Sequence, residues 1–163
     1  MNDFCSLFQN NFLILGLGSP LRQDDQAGLI ACNELARHGI TCIKCEYGLE
    51  NCIGEIENYH PSRLVVIDAA LFKNGRPGDV VVVASDSIED YGLVISTHSI
   101  PQSLILNLLK NTIGVEEVFI IGIYPKTLDL GLEVSFEVLT AVKNIAERIN
   151  ECLNRERKME ELV

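Results

Sequence analysis

The segment Arg63-Leu64-Val65-Val66-Ile67-Asp68 constrains the fold more than any other. Four aliphatic residues in succession, three of them β-branched, leave no polar face, so an extended chain here must be covered on both sides. Strands of that kind belong to parallel sheets, whose crossover helices lie over both faces. Similar apolar runs stand at residues 12–17, 80–83 and 117–124, and helical patterns fall between them. Residues 26–37 carry Ala27, Ile30, Ala31 and Leu35 at helical spacing, and His38-Gly39 closes that helix. Residues 40–46 read as a second strand, 47–51 as a loop, and 52–59 as a short helix stopped by Pro61. After the breaker-rich turn at 73–78, the connection to the strand at 79–84 is too short for a crossover helix, which predicts an antiparallel edge strand. Residues 85–96 read as irregular. Residues 99–110 bring Leu104, Ile105, Leu108 and Leu109 onto one helical face, and 133–153 form a long final helix with Val138, Val142, Ile145 and Ile149 inward.

Strands alternating with helices predict an α/β three-layer sandwich: a mostly parallel, twisted sheet of about five strands with helices on both faces. A chain of 163 residues is long enough to bury a sizeable core, and no linker, repeat or low-complexity stretch divides it. The expectation is one domain over residues 1–163, with an ordered core at 12–153 and a charged tail at 154–163 that frays.

Apolar residues make up 47% and charged residues 22%, a soluble globular balance, and the formal net charge is −10. That surface repels nucleic-acid phosphates and anionic lipid, so no nucleic acid and no membrane is expected as a partner. No apolar run reaches the roughly 20 residues of a membrane span, and residues 1–11 lack the features of an export signal, so a cytoplasmic protein is expected. On that reading the six cysteines, Cys5, Cys32, Cys42, Cys45, Cys52 and Cys152, are reduced thiols. Cys42 and Cys45 have redox or zinc spacing. On a strand, however, side chains three apart point to opposite faces, and no second CxxC or CxxH pair completes a site.

The junction Gly16-Leu17-Gly18-Ser19-Pro20-Leu21-Arg22-Gln23-Asp24-Asp25 reads as strand, tight turn and helix start, with Asp24 as an N-cap candidate. It is not a dinucleotide fingerprint. Leu21 stands where the third glycine belongs, and two acids occupy the place a pyrophosphate would take. Nor is there a phosphate-binding Gly-Lys-Ser/Thr loop, an HExxH helix or a GxSxG elbow. Three polar residues instead fall where a parallel sheet opens its carboxyl-edge crevice: Asp25 after the first strand, Asp68 at the end of the third, and His98 before a helix. Two carboxylates and an imidazole suit a divalent transition metal with positions left for substrate. Each also has a plainer use: Asp25 as a second cap, Asp68 as a partner for a neighbouring turn, His98 as a cap for the helix at Ser99. His38 and His60 sit in surface turns beside Gly39 and Pro61.

Taken together, these residues resemble the [NiFe]-hydrogenase maturation endopeptidases. The likeness runs through Gly16-x-Gly18-Ser19-x-Leu21-x-x-Asp24-Asp25-x-x-Gly28, Leu49-Glu50-Asn51, Val66-Ile67-Asp68-Ala69, Arg76-Pro77-Gly78-Asp79, Ser96-Thr97-His98-Ser99-Ile100-Pro101 and Phe119 to Pro125. The Glu-Asn loop and the Thr-His-x-x-Pro segment look most like the branch that processes hydrogenase 3 and its archaeal relatives. The resemblance implies a cytosolic hydrolase that trims a C-terminal extension from the hydrogenase large-subunit precursor after nickel insertion. It also implies that Asp25, Asp68 and His98 are both the catalytic residues and the ligands of nickel carried by that precursor. Two positions depart from the family: Ser19 stands where Asn is usual, and Gln26 where Gly is usual. No residue qualifies as an obvious nucleophile, because no hydroxyl or thiol is paired with a base. The alternatives are a non-catalytic metal-binding module and a nucleotide-binding α/β domain.

Overall fold

The computed structural model describes residues 4–88, 90–95 and 106–163. Five strands make the main sheet: β1 (Phe12–Gly18), β2 (Cys42–Glu46), β3 (Arg63–Leu71), β4 (Val80–Ala84) and β6 (Glu117–Ile123). A two-residue strand, β5 (Val94–Ile95), attaches to the end of β3. The order is β2-β1-β3-β6-β4, and all main-sheet pairings are parallel except that of β4 with β6. The antiparallel edge strand expected at 79–84 is β4.

Side-chain alternation splits the core into two layers. Ile14, Val65, Ile67, Ile121 and Ile123 pack on one face with α1 (Ala27–Arg37) and α3 (Phe136–Glu161). Leu13, Leu15, Leu17, Leu64, Val66 and Ile120 pack on the other with α2 (Ile53–Tyr59) and the π-helical turn Leu109–Ile113. Val65, Ile67 and Leu64 are 0% exposed, and full burial of one such side chain stabilises the fold by about 1.5–3 kcal/mol. The polarity-free run at 64–67 is thus covered from both sides, as its composition requires.

Strand order places the crevice. From β1 the chain passes through α1 to β2 on one side, then through α2 to β3 on the other, so β1 and β3 flank the topological switch point. In open α/β sheets the ligand crevice opens there, beyond the carboxyl ends. Gly28 wedges α1 into this gap: a Cβ on it would lie 2.2 Å from the carbonyl oxygens of both Leu17 and Ile67. Neither backbone can retreat without breaking its ladder, so Gly28→Ala is expected to lower the melting temperature by about 5–10 °C in a thermal-unfolding scan.

Several expectations need correction. β3 continues through Leu71, so Asp68 does not end it: β6 and then β5 go on supplying partners, at Asp68↔Gly122, Ala69↔Ile123 and Ala70↔Ile95. α3 runs to Glu161 instead of stopping at residue 153, because the charged residues on its outer face are good helix formers. A 3-10 turn, Phe4–Phe8, lies before the expected start of the core and buries Leu7 and Phe8 against α3. The helix expected at 99–110 falls mostly outside the described residues.

The cysteines are not reduced thiols. They pair as Cys5–Cys152, Cys32–Cys42 and Cys45–Cys52, with Cα separations of 5.1, 5.0 and 5.7 Å, inside the range a disulfide spans. Folding, not sequence spacing, brings these partners together. Cys42 is bonded to α1 on one face of β2, and Cys45 to the 3-10 turn Leu49–Cys52 that leads into α2. The opposed faces expected for this pair are therefore observed, and the two cysteines bond different partners rather than each other.

Candidate active site

Asp25 and Asp68 both come to the carboxyl edge at the switch point. Gly16↔Ile67 is the last pairing between β1 and β3, so Asp68 stands one residue past β1's cover while still bonded to β6. Asp25 lies in the 3-10 turn Gln23–Gln26 that follows β1 and packs against β3. Gly18 permits that approach, since a Cβ there would collide with the Asp25 carbonyl oxygen. Asp25 is 0% and Asp68 1% exposed, and both carboxylate oxygens of Asp68 are shielded from solvent. The Ser19 amide donates to Asp25 Oδ2 at 3.2 Å, which orients the carboxylate. Ser19 thus serves with its backbone, and its Oγ accepts from the Leu21 amide at 3.4 Å.

His98 lies outside the described residues. The strand that precedes it in sequence, β5, pairs with Ala70 and Leu71 directly beyond Asp68. Among the described residues no group of three or more His, Cys, Asp or Glu side chains is arranged to hold a metal ion.

Asp24 has a different task from the one expected. α1 begins on Gln26 with no side-chain cap, and the Asp24 carboxylate reaches instead across more than a hundred residues of sequence. It accepts from the amides of Lys126 (2.7 Å), Thr127 (3.2 Å) and Ser135 (2.7 Å) and from the Ser135 hydroxyl (2.9 Å). The side chain is 0% exposed, and these bonds offset the cost of burying its charge. Asp24 therefore ties the loop after β6, and the start of α3, to the loop that carries Asp25. Gln26 joins the same seam: its Nε2 donates to the Leu132 carbonyl at 3.1 Å, which turns the side chain toward the 126–135 loop.

A third carboxylate stands at this edge. Glu50, in the turn after β2, lies against Gly48, and its Oε2 is buried without a hydrogen bond. Asn51 Nδ2 donates to the Glu46 carbonyl at 2.8 Å and closes the turn onto β2. The carboxylates of Asp25, Asp68 and Glu50 at this edge favour a cation over a phosphate. Sequence reading singled out Leu49-Glu50-Asn51 but gave it no task. It missed the pinning role of Asp24 because the partners lie so far along the chain.

An α/β sheet with two buried aspartates at its switch point, in place of a glycine-rich phosphate loop, is not the architecture of a dinucleotide-binding domain. Comparison with known proteins narrows the class. The model of the HycI hydrogenase maturation proteases matches residues 47–152. A protein of Methanocaldococcus jannaschii named as a hydrogenase maturation protease is 29% identical over 136 residues, 72% of this chain and 73% of that one. The [NiFe] hydrogenase maturation protease HycI of Thermococcus kodakarensis superposes with a TM-score of 0.76 at 25% identity, covering 92% of this chain and 97% of its own. HybD of the same organism is 30% identical, with a TM-score of 0.68 over 87% of this chain and 98% of its own. The endopeptidase HycI of Escherichia coli, 23% identical with a TM-score of 0.73, shares the fold over 87% of this chain and 90% of its own. This chain belongs to the HycI hydrogenase maturation protease family, a family of peptidases. Among the described residues no helix is long and apolar enough to cross a membrane.

Proposed function

We propose that this chain is an endopeptidase that removes the C-terminal extension of a [NiFe]-hydrogenase large-subunit precursor once nickel has been inserted. One observation carries the reading: two fully buried aspartates, Asp25 and Asp68, stand at the switch point of a sheet shared with hydrogenase maturation proteases. In this reading Asp25, Asp68 and His98 complete the coordination of the nickel that the precursor carries. Carboxylate oxygens and an imidazole nitrogen are suitable donors for a borderline divalent ion, and a divalent ion offsets the cost of burying two carboxylates together.

Asp25, Asp68 and His98 would hold the precursor's nickel at this edge, which would keep the scissile segment in register and supply Lewis-acid polarisation of its carbonyl. The chain's own residues do the rest. The Ser19 amide fixes the Asp25 carboxylate, and Gly18 and Gly28 let the Asp25 turn and α1 close onto β3. Asp24 holds the neighbouring loop so that the crevice wall keeps its shape when substrate enters. A carboxylate of the edge can take the proton from the attacking water.

The test is a trimming assay with nickel-loaded and nickel-free precursor, followed by intact mass. Wild-type chain is expected to shorten the loaded precursor alone, and His98→Ala, folded by circular dichroism, is expected to shorten neither. Equal trimming of the two precursors would overturn the metal reading. Binding of loaded precursor with no cleavage would make the chain a non-catalytic module.

A further inference from the structure

A patch of outward-facing apolar side chains lies beside the crevice. Leu130 is 80%, Leu132 73%, Phe136 80% and Leu21 53% exposed. Nothing about the backbone there is loose. The Gly131 amide donates to the Leu21 carbonyl at 2.8 Å, and the Gln23 amide donates back to Gly131 at 2.9 Å. Arg22 Nε and Gln26 Nε2 donate to the carbonyls of Leu128 and Leu132, and Asp24 anchors Ser135, the residue before Phe136. A loop held by this many bonds, yet presenting its largest apolar groups to water, is organised for a surface it will meet. The loop follows β6 and Leu21 follows β1, so the patch borders the edge that bears Asp25.

We infer that Leu21, Leu130, Leu132 and Phe136 form the surface on which the folded body of the precursor docks, placing its C-terminal segment over Asp25 and Asp68; this rests on the function proposed above. The charges around the patch describe the partner. Asp129 and Glu133 are exposed on the loop, Lys126 is paired with Glu137 at 3.5 Å, and Arg22 is turned to Leu128. The outward charge is acidic, so the complementary surface is an apolar spot margined by Lys or Arg. A second copy of this chain is a poor occupant. A two-fold interface through the patch would set acidic margins against each other on molecules of net charge −10.

The experiment uses the full chain with Leu130, Leu132 and Phe136 each changed to Ser, and Tyr59→Ser as the control. Tyr59 is also a large exposed side chain, 53% exposed, but lies at the end of α2, away from the crevice. Steady-state trimming of nickel-loaded precursor and calorimetric binding of the same precursor are measured together. The triple variant is expected to raise KM and the dissociation constant at least about tenfold with kcat within about twofold, while Tyr59→Ser changes neither. If wild-type chain binds the precursor without trimming it and the triple variant loses that binding, the docking surface stands and the protease reading falls. Unchanged KM and unchanged binding in the triple variant overturn the docking surface. So does failure of wild-type chain to bind, or a wild-type dimer in sedimentation that the triple variant dissolves with trimming intact.

Discussion

Asp68→Asn is expected to reduce kcat/KM for precursor trimming by more than about a hundredfold, because even an outer-shell partner of a metal ligand typically costs 10–100-fold when lost. The substitution keeps the shape of the side chain and removes a charge that is 1% exposed, so folding is not expected to suffer. The variant should stay folded, with a melting temperature within about 5 °C of wild type, since the amide fills the same volume. Intact-mass time courses of nickel-loaded precursor read the loss. Trimming within tenfold of wild type would remove Asp68 from the site, and a collapsed melting temperature would make it structural.

Asp24→Ala should produce the opposite signature. Three backbone amides and one hydroxyl donate to this carboxylate from a loop more than a hundred residues away. Truncation strands those donors and opens a void, a combination that costs about 3–5 kcal/mol. For a domain of this size that is a fall in melting temperature of about 8–15 °C. Asp24→Asn retains one acceptor oxygen but turns an amide N–H₂ toward donors, so it should recover only part of the loss. Loss of precursor affinity below the melting point would accompany both, since the same loop carries Leu130 and Leu132. A melting temperature within about 2 °C of wild type in the alanine variant would show that the seam does not depend on Asp24.

The contrast between these two aspartates shows what a sequence reading reaches. The place of Asp68 at the sheet edge was legible because it ends an aliphatic run that only a covered strand can accommodate, and the carboxyl ends of such strands open onto a crevice. The parallel sheet and its helical covers follow from the same periodicity, a local property, and the antiparallel edge at Val80–Ala84 follows from the shortness of the connection before it. Asp24 was misread as a cap because its real partners are fixed only when β6 lies beside β3 and α3 begins just after Ser135. The strand order that sets β1 and β3 around the switch point is likewise a matter of which helix crosses which face. Disulfide partners obey the same limit, as six cysteines admit fifteen pairings and spacing selects none of them. The length of β3 past Asp68 escaped notice because it depends on pairing partners far along the chain, first β6 and then β5, a strand too short to announce itself.

The bridge between Cys5 and Cys152, residues separated by 147 positions, has a consequence for how such a chain can be taken apart. It makes the polypeptide between them a covalent circle, so the sheet and its helices can melt without the ends drifting away from each other. A motor that degrades proteins by drawing one terminus through a narrow pore would meet two strands abreast at that sulfur link. Until that link is reduced, the two ends stay joined however far the sheet and helices unfold.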